Sequence, residues 1–318
     1  MKNNTVRQCT LTRPAEFAGI GVHNGKPSRL VINPAPADSG YTLTRMLDDG
    51  SKSASVKIDH SRVSRTSLCT VIDLGNSISV ATVEHVLAAL NGLGIDNAEI
   101  VVWGEECPII DGSAEPFVDA VLDAGISIQP QRKKFIRILR SVTVRDNDAF
   151  AMLEAYNGRA FDVEIDFNSK VIGRERMIFD WSPRKFAIEV APARTFGFVA
   201  QAKVLRQAGY ALGSSLENSI AIEEEKIVNP DGLRFDDEFV RHKLLDAVGD
   251  LALAGLPIYG RFKSYKGGHG LNALVLKSLF ASEANYEILE ADALPLEMEA
   301  LGDLPERLSV EPYLRSIG

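Results

Sequence analysis

With 318 residues, 45% of them apolar and 25% charged, the chain can bury a substantial core and falls outside the compositions of disordered, fibrous and collagen-like proteins. A formal charge of −8 at pH 7 without any long Lys/Arg run excludes general affinity for nucleic acid, so an anionic substrate would have to be met by local cations. The cysteines Cys9, Cys69 and Cys107, odd in number and far apart, exclude a disulfide framework and a CxxC metal pair, and none adjoins a histidine.

The first eight residues lack the apolar core of a signal peptide, and no window reaches about 18 unbroken apolar residues. A cytoplasmic protein with no membrane span is expected. Residues 9–35 are strand-like, with an Asn24-Gly25 hairpin signal before the apolar run Leu30-Val31-Ile32. Residues 41–80 read as short strands broken at Asp48-Asp49-Gly50 and Leu74-Gly75-Asn76, a small added sheet or extended connections. A helix over 82–91 ends at Gly92 and Gly94, followed by a buried strand Ala98–Trp103, a helix over 114–124 and a strand over 126–128.

The polar, proline-containing stretch 129–134 reads as a linker. Beyond it, strands over 135–144, 149–155 and 160–167 suggest a three-stranded meander, the last two joined across Tyr156-Asn157-Gly158. A helix Val199–Gln207, a strand over 219–222, a turn at Pro230-Asp231-Gly232, a helix over 239–250 and a strand over 257–265 follow. The glycine-rich turn 266–270 precedes a last helix from Leu271. Strands and helices mix in both halves, which predicts α+β layers.

The chemistry centres on the helix over 239–250. At about 100° per residue, His242, Asp246 and Asp250 line up on one side and Val240, Leu244, Val248 and Leu251 on another. His242 and Asp246 can hold a divalent metal, or can be an incidental pair on a solvated face. Leu245, Gly249 and Leu253 among the polar positions point to partial burial, as in a cleft wall. The chain has five histidines, at 23, 60, 85, 242 and 269. His85 follows Glu84 directly and opens an apolar helical run. It reads either as a ligand beside a general base or as a satisfied core histidine beside a surface glutamate. Taken with His242 and Asp246 it completes the two-His, one-Asp set of hydrolytic zinc, with a fourth position open for water. His269, among glycines, is either an acid at the reaction centre or a plain loop residue; Asp250 could orient it and raise its pKa. Lys243 and Lys266 each lie close to one of these histidines and suit a phosphate-bearing substrate.

Several long stretches resemble one family. Thr82-Val83-Glu84-His85, Pro108-Ile109-Ile110-Asp111-Gly112-Ser113-Ala114, Ala193-Arg194-Thr195-Phe196-Gly197-Phe198, Asp231-Gly232-Leu233-Arg234-Phe235 and residues 239–250 look like the UDP-3-O-acyl-N-acetylglucosamine deacetylases, zinc enzymes of the committed step of lipid A synthesis. The likeness runs almost end to end and in the family's order. It implies two similar two-layer α+β domains packed face to face: residues 1–129 with a β insert at about 41–80, and residues 130–318 with an insert at about 197–227 that forms an acyl-chain passage. It implies one Zn2+ held by His85, His242 and Asp246, with Glu84 as general base. Thr195 would hold the oxyanion, and His269, oriented by Asp250, would stabilise it and protonate the leaving amine. UDP-3-O-acyl-GlcNAc would be bound by Asp166, Phe167, Lys243, Lys266 and Phe196. Leu205, Leu212 and Leu216 are further candidate walls of the passage, and a monomer is expected.

The chain departs from the family at Ala149, where many members carry a lysine, at Ser214 in Leu212-Gly213-Ser214-Ser215, and at Gly267 and Gly268. Acyl-chain fit and nucleotide affinity are the properties these positions bear on. Cys69 matches a position near the active site and is assigned no catalytic role. Two rival readings remain at this level: an iron oxygenase using the same ligand types, and a UDP-sugar-binding relative that has lost catalysis.

Overall fold

The computed structural model describes residues 7–47 and 51–294; the expected break at Asp48-Asp49-Gly50 and the last part of the second expected domain lie outside the described residues. The first half consists of β1 (Arg7–Leu11), β2 (Ala15–Ile20), β3 (Pro27–Pro34), β4 (Tyr41–Met46), β5 (Lys52–Lys57), β6 (Val63–Arg65), β7 (Val71–Gly75), β8 (Ile78–Val80), α1 (Glu84–Gly92), β9 (Ala98–Trp103), α2 (Glu115–Ala124) and β10 (Ile126–Arg132). The second half begins with β11 (Lys134–Ile138), β12 (Val142–Asp146), β13 (Ala149–Glu154), β14 (Arg159–Asp166), β15 (Arg174–Asp180) and the single turn α3 (Pro183–Lys185). It continues with β16 (Phe196–Phe198), α4 (Val199–Gln207), β17 (Ile220–Glu223), β18 (Lys226–Ile227), α5 (Glu238–Leu251), β19 (Ile258–Tyr265), α6 (His269–Phe280) and β20 (Tyr286–Glu290).

The two halves repeat one topology. In the first sheet, ordered β2-β3-β9-β4-β5, the neighbours are antiparallel except the parallel pair β9–β4. In the second, β12-β13-β19-β14-β15 follows the same order and the same senses, with β19–β14 parallel. Each unit reads four strands, an insert, a helix, a strand and a helix, so α1 and α5 occupy equivalent places. This bears out the expected pair of similar α+β units.

Four details differ from the sequence reading. β4 and β5 belong to the main sheet, because β4 runs parallel beside β9 rather than forming a local meander; the separate three-stranded sheet is β6-β7-β8 alone. The expected linker 129–134 is mostly strand. β10 pairs with β1 in a two-stranded ribbon and is exposed along much of its length, so its residues are polar, and Pro130 is tolerated there. Only Lys133 separates β10 from β11, and it is buried, pairing with Asp96 at 3.1 Å and donating to the Gly94 carbonyl at 2.9 Å. The run 135–144 is two strands, and β13 does not pair with β14, because β19 lies between them.

The two units meet through their equivalent helices. Every residue of α1 is buried, as are all of α5 except Arg241 and Lys243, which is the environment of a core helix rather than of an amphipathic surface one. The crossing depends on Gly249: a Cβ there would fall on the carbonyl oxygen of Glu84 and lie 3.1 Å from the amide nitrogen of Ala88. Beside it, the Asn91 amide donates to the Val248 carbonyl at 2.7 Å. Because the atoms opposing the glycine are backbone of α1, no side chain can swing away to make room. We therefore expect Gly249→Ala to destabilise the protein by about 3 kcal/mol or more, measured by urea unfolding; a loss below about 0.5 kcal/mol would mean that the helices tolerate separation.

Candidate active site

The start of α1 is held under strain. Thr82, two residues before Glu84, has φ of 58°, a left-handed conformation costly for a β-branched residue. It is locked by the backbone bonds of Ala81 to residues 105 and 107 and by the Thr82 hydroxyl, which donates to Glu106 at 2.9 Å. The other contacts of the buried Glu106 carboxylate are the amides of His23 and Asn24, at 2.9 and 3.0 Å. One carboxylate thus ties the β2–β3 hairpin to the lead-in of α1. Glu106 was not singled out from the sequence, where no local pattern marks it.

From these helices His85, His242 and Asp246 converge, all buried, with one ligand atom of each within 4.8 Å of the others. Asp246 Oδ1 lies 3.5 Å from His242 Nε2 and 3.8 Å from His85 Nε2. Ligands about 2.0–2.1 Å from a tetrahedral zinc stand about 3.4 Å apart, so the set is close to binding geometry. The donor chemistry fits as well. Asp246 Oδ1 is buried with no hydrogen-bond partner among the described residues, a costly state that a cation would relieve. His242 Nδ1 donates to the Ala193 carbonyl at 3.0 Å, which leaves Nε2 with its lone pair facing the cluster. Burial holds His85 down at about 3 and pulls His242 below the ordinary imidazole range, so both rings are neutral as ligands must be. Lys243 does not face an open phosphate site here; its ammonium lies 2.5 Å from Asp246 Oδ2. Although burial opposes ionisation of Asp246, the Lys243 ammonium and the protonated His269 nearby outweigh it and keep the carboxylate charged.

A second buried array flanks the first. His269, the first residue of α6, has Nδ1 2.8 Å from Asp250 Oδ2 and Nε2 3.8 Å from Glu84 Oε1. Asp250 also accepts from the Thr70 hydroxyl at 2.6 Å and from Asn272 at 2.9 Å, and Glu84 accepts from the Thr70 amide at 3.1 Å. Burial opposes the His269 charge, but Asp250 and Glu84 overcome it and lift the imidazole to about 9. Burial likewise pushes Glu84 up to about 7, despite His269. Thr70 and Asn272 were not read from the sequence, although both are polar residues next to apolar runs.

The remaining motifs position Thr195. Its amide donates to the Gly112 carbonyl and its carbonyl accepts from Ile220, both at 2.8 Å. Gly112 has φ of 84°, and a Cβ there would strike the Asn218 carbonyl. Around this strap Arg194 pairs with the buried Glu238 at 2.9 Å and Arg234 with Asp111 at 2.9 Å. The motifs that carry the family resemblance are thereby one connected network. Phe196 sets its ring 6.2 Å from His242, 4.9 Å from Phe239 and 5.7 Å from Phe167, an aromatic chain leading away from the histidines. At its far end Lys266 pairs with Asp148 at 2.8 Å and with Asp166 at 3.5 Å. Leu212 and Leu216 are exposed and Leu205 is half-buried. The loop carrying Leu212 donates from its amide to His23 at 3.0 Å, and Gly213 donates to Val22 at 3.0 Å, so the second insert rests on the β2–β3 hairpin. Ser214, one of the departures, shares its hydroxyl with Ser219 at 3.3 Å. Cys69 is buried, and burial pushes its thiol up to about 12, far from a reactive thiolate.

Since Asp250 is foremost among the carboxylates that overcome burial at His269, Asp250→Asn is expected to drop that imidazole from about 9 toward its ordinary value near 6.5 or below, read by NMR titration of the ring in metal-free protein. A ring still protonated at pH 8 in the variant would disprove the assignment.

Comparison with known proteins gives the same direction. The profile of UDP-3-O-acyl N-acetylglycosamine deacetylase (LpxC) matches residues 8–281. Proteins of Brucella ovis, Brucella abortus and Brucella melitensis biotype 2, each named UDP-3-O-acyl-N-acetylglucosamine deacetylase, are 45% identical over 285 residues, covering 89% of this chain and 99% of theirs. The chain belongs to the UDP-3-O-acyl N-acetylglycosamine deacetylase family.

Proposed function

We infer that this protein hydrolyses the N-acetyl group of UDP-3-O-acyl-N-acetylglucosamine, giving UDP-3-O-acyl-glucosamine and acetate, the committed step of lipid A synthesis, and that it does so with one zinc ion held by His85, His242 and Asp246. The observation that carries the metal reading is the buried, unpartnered Asp246 Oδ1 between two neutral imidazoles. Bound there, zinc supplies a Lewis acid and a water acidified to near neutrality.

The protein's own groups do the proton work. Glu84, with a pKa near that of neutral water chemistry at about 7, takes the proton of the attacking water. His269, protonated below about pH 9, donates from Nε2 to the developing oxyanion and then gives that proton to the leaving amine, while Asp250 holds Nδ1. The Thr195 hydroxyl is the second donor to the oxyanion. Phe167 and Phe196 line the path to the nucleotide, where Asp166 and Lys266 receive uridine and diphosphate; on substrate binding Lys266 and Lys243 exchange their carboxylate partners for phosphate. The second insert guides the acyl chain past Leu205, Leu212 and Leu216. All of these groups come from one chain, which supports a monomer acting alone. We divide it at Lys133, with small inserts over 63–80 and about 197–227. The free, buried Cys9, Cys69 and Cys107 suit a reducing compartment, and we place the activity in the cytoplasm; no described helix is long and apolar enough to cross a membrane.

In a deacetylation assay on UDP-3-O-acyl-GlcNAc, a chelator should abolish acetate release and added zinc should restore it. Glu84→Ala should lower kcat by about 100-fold or more with bound zinc retained. Turnover that survives both treatments would sink the mechanism, and a dependence on oxygen and 2-oxoglutarate would favour an oxygenase. Because the His269 pKa is raised, the acid is present below about 9 and lost above it. The rate should therefore fall as pH rises through about 9, and Asp250→Asn should move that limb to lower pH.

A further inference from the structure

A pocket of about 400 Å3 opens at the seam between the two units, walled by Tyr41 and Lys57 of the first and Phe135, Arg159, Trp181 and Leu256 of the second. None of the residues assigned to metal, acid–base or nucleotide chemistry lines it. It sits at the other ends of the catalytic helices: Asn91 is six residues, about 9 Å, beyond His85 along α1, and the segment 252–257 follows α5. A pocket of this volume falls in the range that holds small molecules.

Its charges do not cancel. Lys133 is paired with Asp96 and Lys134 with Asp38, both at 3.1 Å, and Asp59 is occupied by the amide and hydroxyl of Ser61 at 2.7 and 2.5 Å. Arg159 and Lys57 have no carboxylate within ion-pair distance among the described residues. The Arg159 guanidinium lies over Trp181, 4.2 Å from the ring centroid, and spends one donor on the Asn91 side-chain oxygen at 3.0 Å. Its other donors remain for a ligand. A guanidinium with donors to spare, whose electrostatic partner Asp96 is already ion-paired with Lys133, stands beside aromatic walls in one pocket, a combination that calls for an anionic guest.

We propose that this pocket binds a small organic anion, a carboxylate or phosphate group on a flat apolar body. The oxyanion sits on Arg159 with Lys57 at the mouth, and the body lies along Trp181 and Phe135. The site is separate from the deacetylation centre and meets the catalytic helices at their far ends, through residues 252–257 after α5 and through Asn91 of α1, which bonds both Arg159 and the Val248 carbonyl of α5.

Trp181 reports on its own site once the second of the two tryptophans is removed, so the test is titration of the full-length, zinc-loaded Trp103→Phe protein, read by Trp181 emission. Phenyl phosphate and benzoate are the probes; inorganic phosphate supplies the head alone and benzyl alcohol the body alone. Saturable quenching by at least one of the two aromatic anions is expected, the better of them distinguishing phosphate from carboxylate. Inorganic phosphate should bind more weakly and benzyl alcohol weakest. Arg159→Gln should weaken binding by about tenfold or more, whereas Lys266→Ala in the nucleotide path should leave it unchanged. Should Arg159→Gln fail to match the parent's circular dichroism, the exposed Lys57→Ala serves instead and should weaken binding by about threefold. The proposal fails if neither anion saturates, if benzyl alcohol binds as tightly, if the Arg159 and Lys57 variants bind like the parent, or if Lys266→Ala abolishes the signal.

Discussion

The contact on which the site depends is between two backbones. α1 and α5 come so close at Gly249 that a single methyl group would enter the Glu84 carbonyl, and this closeness places His85 and Glu84 of one unit against His242, Asp246 and Asp250 of the other. Helices of ordinary separation, held apart by side chains, stand about 8–10 Å axis to axis. The ligands and the base would then sit on opposite walls of a gap. The topological repeat makes the arrangement natural, because each unit presents the helix before its central strand, β9 or β19, at an equivalent place.

So close a contact buries ionisable groups, and burial does chemical work here. Removed from water, Glu84 rises to about 7 and His85 falls to about 3, while Asp250 and Glu84 reverse the effect of burial at His269 and lift it to about 9. One buried cluster therefore holds a base, an acid and neutral imidazole ligands at the same pH, separated by which carboxylate each group faces. Lys243 contributes by occupying Asp246 Oδ2, which leaves Oδ1 as the atom without a partner. The supports are of the same kind: Glu106 gathers three donors to hold the strained Thr82, and Arg194 and Arg234 pin the strap that presents Thr195. In the pocket around Arg159, by contrast, no carboxylate of the described residues comes within ion-pair distance of the guanidinium, because Asp96 is taken by Lys133.

Several of these features could be read directly from the order of residues. The spacing of His242, Asp246 and Asp250 is a property of one helix, and α4 and β9 have their expected bounds because local periodicity and glycine stops decide them. The motifs from Glu84-His85 to 239–250 carried the resemblance to a deacetylase family, and the family match agrees with it. Residue order could not show what depends on pairing at a distance. β4 lies parallel to β9 and β19 separates β13 from β14, and such non-local ladders leave no period in the strands themselves. The polar β10 resembled a linker because a two-stranded ribbon exposes both faces. Only the fold decided that Glu106, Thr70 and Asn272 would serve the site and that Gly249 rather than a side chain would set the helix spacing. Each of these depends on atoms brought together from distant parts of the chain, whereas the ligand types and their helical spacing are local and were written in the sequence from the start.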